Sequence, residues 1–414
     1  MTDSTREAGP YAIRTATAET VEAFTAPLLA AFAFVEDPGD EERRTWEPDR
    51  IIAALDGERP VATAGAFSFR LGVPGGEAAA AGVTLVGVNP AYRRRGILRS
   101  MMRRQLDDVH ARGEALAILW ASEGAIYQRF GYGLATLSGS FEIACERAAF
   151  ARATPPEGTV RLVDLEEAMG IFPSLYDRVR IQSPGMIARS ETWWRWVTLH
   201  DTDQARGANG IKFLAVYEAG GEVEGTAIYR VKPDWDERGP KGTLVATEVL
   251  AETPRATRDL WAWLLGVDLV TTVRAVRAPV PHPLQLLLAE PRRLGFTVGD
   301  GTWLRVVDVR AALAARRYAR PGVLVLEVRD AFCPWNAGRW RLVADADGHA
   351  VAEPTAGLPD VTLGAADLGA TYLGTFTFSE LARVGRVVEG TPGALARADR
   401  LFAADRAPWC GTMF

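Results

Sequence analysis

Apolar and polar positions in the N-terminal third of the chain alternate between strand-like and helix-like patterns. Apolar runs at 60–71, 83–88 and 115–121 have the length of strands, and the last of them is apolar throughout. Between them, residues 97–112 repeat apolar positions at the helical spacing until Gly113 ends the pattern. A continuously apolar strand is typical of one buried on both faces, so this stretch predicts helices on both sides of a mixed sheet.

Weaker patterns flank this stretch. A helical pattern covers 18–34, and a short apolar element follows at 50–55. A loop rich in proline, glutamate and glycine at 153–158 indicates the end of the first domain.

The middle of the chain repeats the same order of elements more faintly. It predicts strands at 212–218, 224–231 and 243–250, a helix at 255–265 and a strand at 268–276. The segments TLVATEVL and PRATRDLWAWLL correspond to VTLVGVNP and RRRGILRSMMRRQL in the first stretch. We interpret this as an internal duplication whose second copy has no glycine where the first has Gly96.

A third region begins near Leu304 and contains no cluster of catalytic residue types. Its pattern predicts strands at 323–328 and 339–344 and helices at 365–372 and 378–388. A chain of 414 residues is long enough for two or three domains of roughly 150 residues. We therefore predict an α+β protein of three domains, at 1–153, 154–300 and 301–414.

Composition and charge narrow the class of function. A hydrophobic content of 48% with 24% charged residues is typical of globular proteins, and no apolar run reaches the ~18 residues of a membrane span. The net charge of -5 disfavours nucleic acid as a partner and favours a cationic small substrate. Three cysteines and four histidines lack metal-ligand spacing, so we expect no metal site. The polar N-terminus lacks the apolar core of a secretory signal, and we expect a cytoplasmic protein.

The segment VGVNPAYRRRGIL, residues 86–98, is the strongest chemical signal in the sequence. A buried strand leads through an arginine-rich turn into a helix, whose unpaired N-terminal amides can bind a pyrophosphate. Gly96 would let the backbone approach the phosphates, and the strand edge at Val86 and Val88 could pair with the amides of a pantetheine arm. The alternative is a solvated arginine turn, which the preceding strand and following helix disfavour.

The run 83–133 resembles the cofactor-binding half of GNAT acetyltransferases. Their signature [RQ]xxGx[GA] is matched by Arg93 and Gly96, and Leu98 departs from it at the last position. The segments AYRRRGILRSMM and SEGAIYQRFGYG more closely resemble the enhanced intracellular survival (Eis) acetyltransferases, over the whole chain. The resemblance implies an active GNAT domain, a degenerate second one, a sterol-carrier-protein-like third domain, acetyl-CoA as co-substrate and a homohexamer. The predicted cofactor-binding residues are Val86, Gly87, Val88, Arg94, Arg95, Gly96, Ile97, Leu98, Arg99, Ser122 and Glu123.

Transfer of an acetyl group to an amine requires an acid for the departing thiolate. A thiol has a pKa of about 8.5 and is already a fair leaving group, so a phenol is a sufficient acid. Tyr127 is the candidate, because it follows the strand that ends near 122. The alternative role for Tyr127 is packing in an aromatic cluster with Phe130 and Tyr132. The Eis resemblance implies that Tyr127 is the proton donor.

The general base is less evident in the sequence. Glu123 is the nearest candidate, and its alternative role is a solvated charge at the start of a helix. The Eis resemblance implies that the terminal carboxylate, here that of Phe414, accepts the proton. The last residues, APWCGTMF, are apolar, and we expect Trp409, Met413 and Phe414 to be buried.

The predicted function is transfer of acetyl from acetyl-CoA to amines of small cationic acceptors, similar to aminoglycosides or polyamines. One alternative is a ligand- or lipid-binding protein that uses the third domain, which the intact Gly96 turn and Tyr127 disfavour. Another is a protein or peptide lysine acetyltransferase, with acceptor choice in loops such as 37–46. The cluster of Trp193, Trp194 and Trp196 fits either a substrate channel or a hydrophobic core.

Overall fold

The computed structural model describes residues 7–8, 11–33 and 39–414. Its contacts divide the chain into two compact units. The first unit comprises residues up to 135, 302–405 and 413–414, and the second comprises 136–301 and 406–412. The domain boundaries predicted at 153 and 300 stay predictions.

The elements of the chain are as follows. The strands are β1 (Glu7–Ala8), β2 (Tyr11–Thr15), β3 (Ile52–Asp56), β4 (Arg59–Val73), β5 (Gly76–Val88), β6 (Leu116–Trp120), β7 (Gly133–Leu134), β8 (Leu137–Ala144), β9 (Thr159–Val163), β10 (Ile211–Ala219), β11 (Glu222–Lys232), β12 (Trp235–Asp236), β13 (Gly239–Pro240), β14 (Gly242–Ala251), β15 (Val270–Ala278), β16 (Thr297–Asp300), β17 (Thr302–Val306), β18 (Gly322–Arg329), β19 (Gly338–Ala344), β20 (Ala350–Pro354), β21 (Val361–Gly364) and β22 (Val387–Glu389). The helices are α1 (Val21–Thr25), α2 (Pro27–Phe32), α3 (Asp40–Arg43), α4 (Ile97–Ala111), α5 (Gly124–Tyr127), α6 (Leu165–Ile181), α7 (Asp203–Asn209), α8 (Pro254–Leu265), α9 (Leu284–Leu287), α10 (Val309–Ala315), α11 (Ala365–Tyr372), α12 (Phe378–Arg383) and α13 (Ala394–Phe402). No helix in the described part of the chain is long and apolar enough to span a membrane.

The first unit contains an eight-stranded sheet in the order β1-β2-β3-β4-β5-β6-β17-β7. The predicted strands β4, β5 and β6 and the helix α4 are confirmed. β5 begins earlier than predicted, at Gly76, because the glycine, glutamate and small alanines that precede Val83 gave no apolar strand pattern. Helix α4 buries Met101, Met102, Leu106 and Val109 in the core. Each such side chain stabilises the packing of the helix by roughly 1.5–3 kcal/mol.

Strands β5 and β6 are parallel, and they separate before they end. Their pairing stops at Gly82 and Ile118, although β5 continues to Val88. The pairing of β5 with β4 also shifts register near Gly65, and Leu85 of β5 has a positive φ of 54°. This bulge increases the local twist. The far end of β5 therefore has a strand edge that β6 does not cover.

The second unit contains a seven-stranded sheet in the order β16-β8-β15-β14-β11-β10-β9. Its parallel pair β14 and β15 is connected by α8, as β5 and β6 are connected by α4. The ladder of β14 and β15 ends at Ala246 and Ala275, although β14 continues to Ala251 and β15 to Ala278. The predicted duplication is thus present in the topology.

Each sheet contains a strand from a distant part of the chain. β8 directly follows β7 in sequence, but it pairs with β15 and β16 in the second sheet. β17 follows the second sheet in sequence, but it pairs with β6 and β7 in the first. The predicted first domain, 1–153, includes β8 and lacks β17.

A five-stranded sheet in the order β20-β19-β18-β21-β22 belongs to the first unit. β18 and β19 confirm the two strands predicted in this region, and α11 confirms the helix predicted at 365–372.

Two predicted helices were wrong in extent. The helix predicted at 18–34 is divided into α1 and α2, because Pro27 cannot continue the hydrogen bonding of α1. Residue 34 lies outside the described residues. The helix predicted at 378–388 ends at Arg383, because Gly385 takes a positive φ of 76° that terminates it, and residues 387–389 form β22.

Candidate active site

A cavity of about 670 Å³ lies in the first unit beside the end of β5. It is lined by the last residues of β5, the turn and first residues of α4, and the segment around α5. Of the eleven predicted cofactor-binding residues, ten line this cavity, namely Val86, Gly87, Val88, Arg94, Gly96, Ile97, Leu98, Arg99, Ser122 and Glu123. The fold therefore brings together residues from two separate segments of the sequence.

The N-terminus of α4 opens on the cavity without a side-chain cap. Gly96 is the N-cap residue, with φ 82°, and a Cβ on Gly96 would project into open space. The first amides of this 15-residue helix have no intrahelical acceptor, and the helix dipole favours an anion there. Arg94 also has a positive φ, 62°, which for a residue other than glycine is a strained conformation. This turn has the features of a phosphate-binding site.

Arg95 is the one predicted cofactor-binding residue that is not among the described residues lining the cavity. Its guanidinium donates hydrogen bonds to the hydroxyl of Tyr11 at 2.9 Å and to the carbonyl of Ala91 at 3.0 Å. It also lies over the ring of Tyr92, 4.9 Å from the ring centre. Arg95 therefore fixes the turn rather than facing the cavity.

Four arginines line the cavity and contribute positive charge to it: Arg93, Arg94, Arg99 and Arg129. Arg129 was missed by the sequence analysis, although it lies only two positions after Tyr127. Charged guanidinium groups are suited to the phosphates of coenzyme A.

Helix α2 supplies a wall of the cavity that the sequence analysis did not identify. Ala31 and Phe32 line the cavity. A Cβ on Gly87 would lie 3.0 Å from Leu28 and 3.1 Å from Ala31, so a glycine on β5 allows α2 to pack closely. The glycine in the strand was the available signal of this contact. Residues 37 and 38 of the loop predicted to select the acceptor lie outside the described residues.

Tyr127 lies at the end of α5 and faces the same cavity. The residue is 6% exposed, and its ring meets that of Tyr132 edge to face, with centres 5.9 Å apart. Burial first, and then the charge of Glu123, raise the pKa of Tyr127 to about 12. No hydrogen bond engages its hydroxyl among the described residues. The phenol is therefore held in its protonated form, both packed in the core and open to the cavity.

Helix α5 rests on the strand contributed from the distant part of the chain. A Cβ on Gly124 would lie 2.6 Å from the ring of Trp303, so β17 packs directly against the first residue of α5. Glu123, the N-cap residue of α5, lines the cavity next to Tyr127. The position of Tyr127 thus depends on a strand more than 170 positions later in the chain.

Phe414 lies at the point where β5 and β6 separate. Its ring is 5.1 Å from that of Phe69 on β4, in an edge-to-face arrangement. A Cβ on Gly82, the last residue of β5 paired with β6, would lie 3.4 Å from the Phe414 ring. Phe414 is not among the described residues that line the cavity.

The expectation that the whole tail is buried was wrong for Met413, which is 54% exposed. The polar neighbour Thr412 is buried instead, 5% exposed, because its hydroxyl accepts hydrogen bonds from Arg189. Trp409 and Phe414 are partly buried. Apolar character alone therefore did not predict which residues of the tail are anchored.

Elsewhere, Trp194 packs in the core of the second unit, edge to face with Tyr176 at 5.2 Å. In the part of the chain that the structure describes, no three His, Cys, Asp or Glu side chains form a group that could hold a metal ion.

Comparisons with protein families identify three domains. Residues 12–135 and residues 185–306 each match an acetyltransferase (GNAT) domain family. Residues 309–411 match the sterol carrier protein domain family.

Relatives of known sequence match along nearly the whole chain. An uncharacterized N-acetyltransferase of Streptomyces avermitilis is 42% identical, over 92% of this chain and 94% of that protein. The N-acetyltransferase Eis of Mycobacterium bovis is 34% identical, over 91% of this chain and 94% of that protein. The crystal structure of Eis1 from Mycobacterium abscessus is similar, with a TM-score of 0.82 and 33% identity, over 97% of this chain and 100% of that chain.

Proposed function

The chain belongs to the Eis family of GNAT N-acetyltransferases, and we propose which of its residues catalyse the acetyl transfer and which amines accept the acetyl group. The chain is an acetyltransferase with two GNAT domains and a sterol-carrier-like domain, and the GNAT fold implies the use of acetyl-CoA.

In the proposed reaction, the neutral amine of the acceptor attacks the thioester carbonyl of acetyl-CoA. A C–N bond forms and the C–S bond breaks. The amine loses a proton to a base, and the departing thiolate takes a proton from an acid. Tyr127 is the proposed acid, supported by its position in the cavity.

The proposed base is the α-carboxylate of Phe414. The position of the Phe414 ring over Gly82, where β5 leaves β6, supports this role. A carboxylate there would also attract an ammonium group, which suits a cationic acceptor. Glu123, which lines the cavity, is the alternative base.

The cofactor is proposed to lie along the free edge of β5 and the N-terminus of α4. Val86 and Val88 would pair with the pantetheine amides, and the turn at Gly96 would bind the pyrophosphate. The supporting observation is that these residues and Tyr127 line one cavity of about 670 Å³. Arg129 is a further candidate for phosphate binding.

The proposed acceptors are small cationic amines, similar to polyamines or aminoglycosides. A panel of such amines, of lysine peptides and of neutral amines tests this, with the release of free thiol from acetyl-CoA as the readout. Turnover with the small cationic amines is expected. Turnover with lysine peptides alone would contradict the proposed acceptor class, and binding of lipid without any turnover would contradict the proposed chemistry.

A homohexamer, which the Eis resemblance implies, is proposed as the assembly. The mass of the native protein in solution should then be six times 44.9 kDa. A monomer would contradict it.

A further inference from the structure

The second unit contains its own separated strand pair, equivalent to the one that lies beside the cavity in the first. β14 and β15 separate after Ala246 and Ala275, as β5 and β6 separate after Gly82 and Ile118. In the second unit, a residue beyond the last pair on each strand is bonded, directly or through Arg189, to the C-terminal segment 409–412.

The segment is bonded directly to β15. Arg277, two residues beyond the last paired residue, accepts a hydrogen bond at its carbonyl from the indole of Trp409 at 2.7 Å. The guanidinium of Arg277 donates to the carbonyl of Gly411 at 3.3 Å. Trp409 and Gly411 are thus anchored to one of the two separated strands.

The segment is bonded to β14 through Arg189. Glu248, two residues beyond the last pair, accepts two hydrogen bonds from Arg189, at 3.0 and 2.5 Å. Arg189 also donates to the hydroxyl of Thr412, at 2.7 and 3.2 Å. Arg189 therefore joins the tail to the second separated strand.

The side chain of Arg189 is held in place by contacts with residues outside the tail. Its side chain is 3% exposed, and it lies over the rings of Tyr176 at 4.1 Å and Trp194 at 4.7 Å. A buried guanidinium needs partners for its donors, and Glu248 and Thr412 supply them. Such an arrangement leaves little freedom for Thr412.

The tail also approaches the backbone more closely than a side chain would allow. The amide of Trp409 donates to the carbonyl of Pro184 at 2.8 Å. A Cβ on Gly185, whose φ is 94°, would lie 2.8 Å from the carbonyl oxygen of Trp409. The glycine is required by this contact.

The helix that follows β14, α8, offers fewer free amides at its N-terminus than α4 does. Pro254, its first residue, has no N–H, and the side chain of Thr253 accepts a hydrogen bond from the amide of Ala256. Gly96 makes no such cap on α4. The second unit thus has the separated strands of a cofactor site without its phosphate-binding end.

We infer that the second GNAT domain uses its separated strands to hold residues 409–412 in place of a cofactor, and that Arg189 is a positioning residue for the carboxylate of Phe414. This inference rests on the proposed role of that carboxylate. Phe414 is two positions after Thr412, so at most about 7 Å of chain separates the residue that Arg189 binds from Phe414. A fixed Thr412 therefore restricts where the carboxylate can lie.

The test is Thr412→Val in the full-length enzyme, which preserves the shape of the side chain and removes the acceptor for Arg189. Thr412→Ser is the matched control, because it keeps the hydroxyl. Tyr217→Phe is a second control in the same unit, because it removes a buried hydrogen bond of 2.8 Å to Asp259. None of the described contacts of Tyr217 involves the tail. Gly185→Ala displaces the tail independently.

Two measurements are made on each variant, hydrogen exchange of peptides that cover 406–414 and steady-state kinetics. In Thr412→Val, hydrogen exchange of the tail should be roughly 10- to 100-fold faster, because the hydrogen bond from the charged Arg189 is lost. In Gly185→Ala, exchange should be faster by a similar factor, because the added methyl group displaces the tail. The kcat should fall about 10-fold or more, since small displacements of a reacting group are costly. The KM for acetyl-CoA should not change. Thr412→Ser and Tyr217→Phe should resemble the wild type in all three.

Tail exchange in Thr412→Val as slow as in the wild type would overturn the inference, and so would fast exchange with unchanged kcat. A Thr412→Ser enzyme as impaired as Thr412→Val would also overturn it. Whether the Phe414 carboxylate is the base is tested separately, because deletion of Phe414 would then leave the rate unchanged only if that proposal is wrong. The exchange data still decide whether Arg189 holds the tail.

Discussion

Tyr127 combines a buried ring with a hydroxyl that faces the cavity. Tyr127→Phe keeps the packing against Tyr132 and removes only the proton donor, so kcat should fall by roughly 10²- to 10⁴-fold with little change in thermal stability. Because the pKa of Tyr127 is raised to about 12, the wild-type kcat should not fall as the pH passes about 10, where an ordinary phenol ionises. Steady-state kinetics of the two enzymes at a series of pH values measures the loss of kcat in Tyr127→Phe and the pH dependence of the wild-type kcat. A Tyr127→Phe enzyme of full activity would assign the residue to the aromatic core alone.

Gly96 has a left-handed backbone and open space in front of its Cα. In Gly96→Ala the methyl group would stand between the amides of α4 and the pyrophosphate, so the dissociation constant of acetyl-CoA should rise by roughly 10- to 100-fold. Gly113, just beyond the other end of α4, has φ 74° and equally open space, so Gly113→Ala introduces the same backbone strain away from the cavity. Titration calorimetry compares the two. Equal affinities would refute the placement of the phosphates at Gly96.

At the scale of elements, the two equivalent strand-helix-strand units differ at the start of the helix. α4 begins with an uncapped glycine, whereas α8 begins with Pro254 and a threonine cap. Because the proline and the threonine cap remove amides that the start of α4 keeps free, the full-length chain should bind one acetyl-CoA, in the first domain. Equilibrium titration measures the stoichiometry, and a value of two per chain would show that the second domain is not degenerate.

The same elements show what the sequence could predict. β5, α4 and β6 were predictable because strand, turn and helix are contiguous, and Gly96 and Tyr127 belong to that local pattern. The hydrogen bonds from Arg189 to Thr412 were not predictable, since the two residues are 223 positions apart and neither stands out locally. The pairing of β17 with β6 was not predictable for the same reason, because a short apolar strand carries no information about its partner.

At the scale of the whole chain, activity should depend on the carboxylate of Phe414. Residues appended after Phe414 replace this charge by a neutral amide, so such an extension should abolish turnover, while an N-terminal extension of the same length should not. Deletion of Phe414 withdraws the carboxylate by about 3.3–3.6 Å and should lower kcat by roughly 10²- to 10⁴-fold. Thiol release measures all three proteins. If the shortened enzyme retains the wild-type rate and pH dependence, the base is another group, and Glu123 is the first to replace.

The exchange of β8 and β17 between the two sheets has a consequence for how the protein is made. A ribosome adds about 5–20 residues per second, so the roughly 170 residues between β7 and β17 delay the completion of the first sheet by about 10–30 s. During that interval β6 lacks its neighbour β17, and its unpaired edge is open to pairing with other chains. Only when Trp303 has been synthesised can α5, which carries Tyr127, pack against β17. The part of the cavity that Tyr127 lines is therefore completed only after residues 136–301 have been synthesised, so a nascent chain released before Trp303 lacks the support of α5.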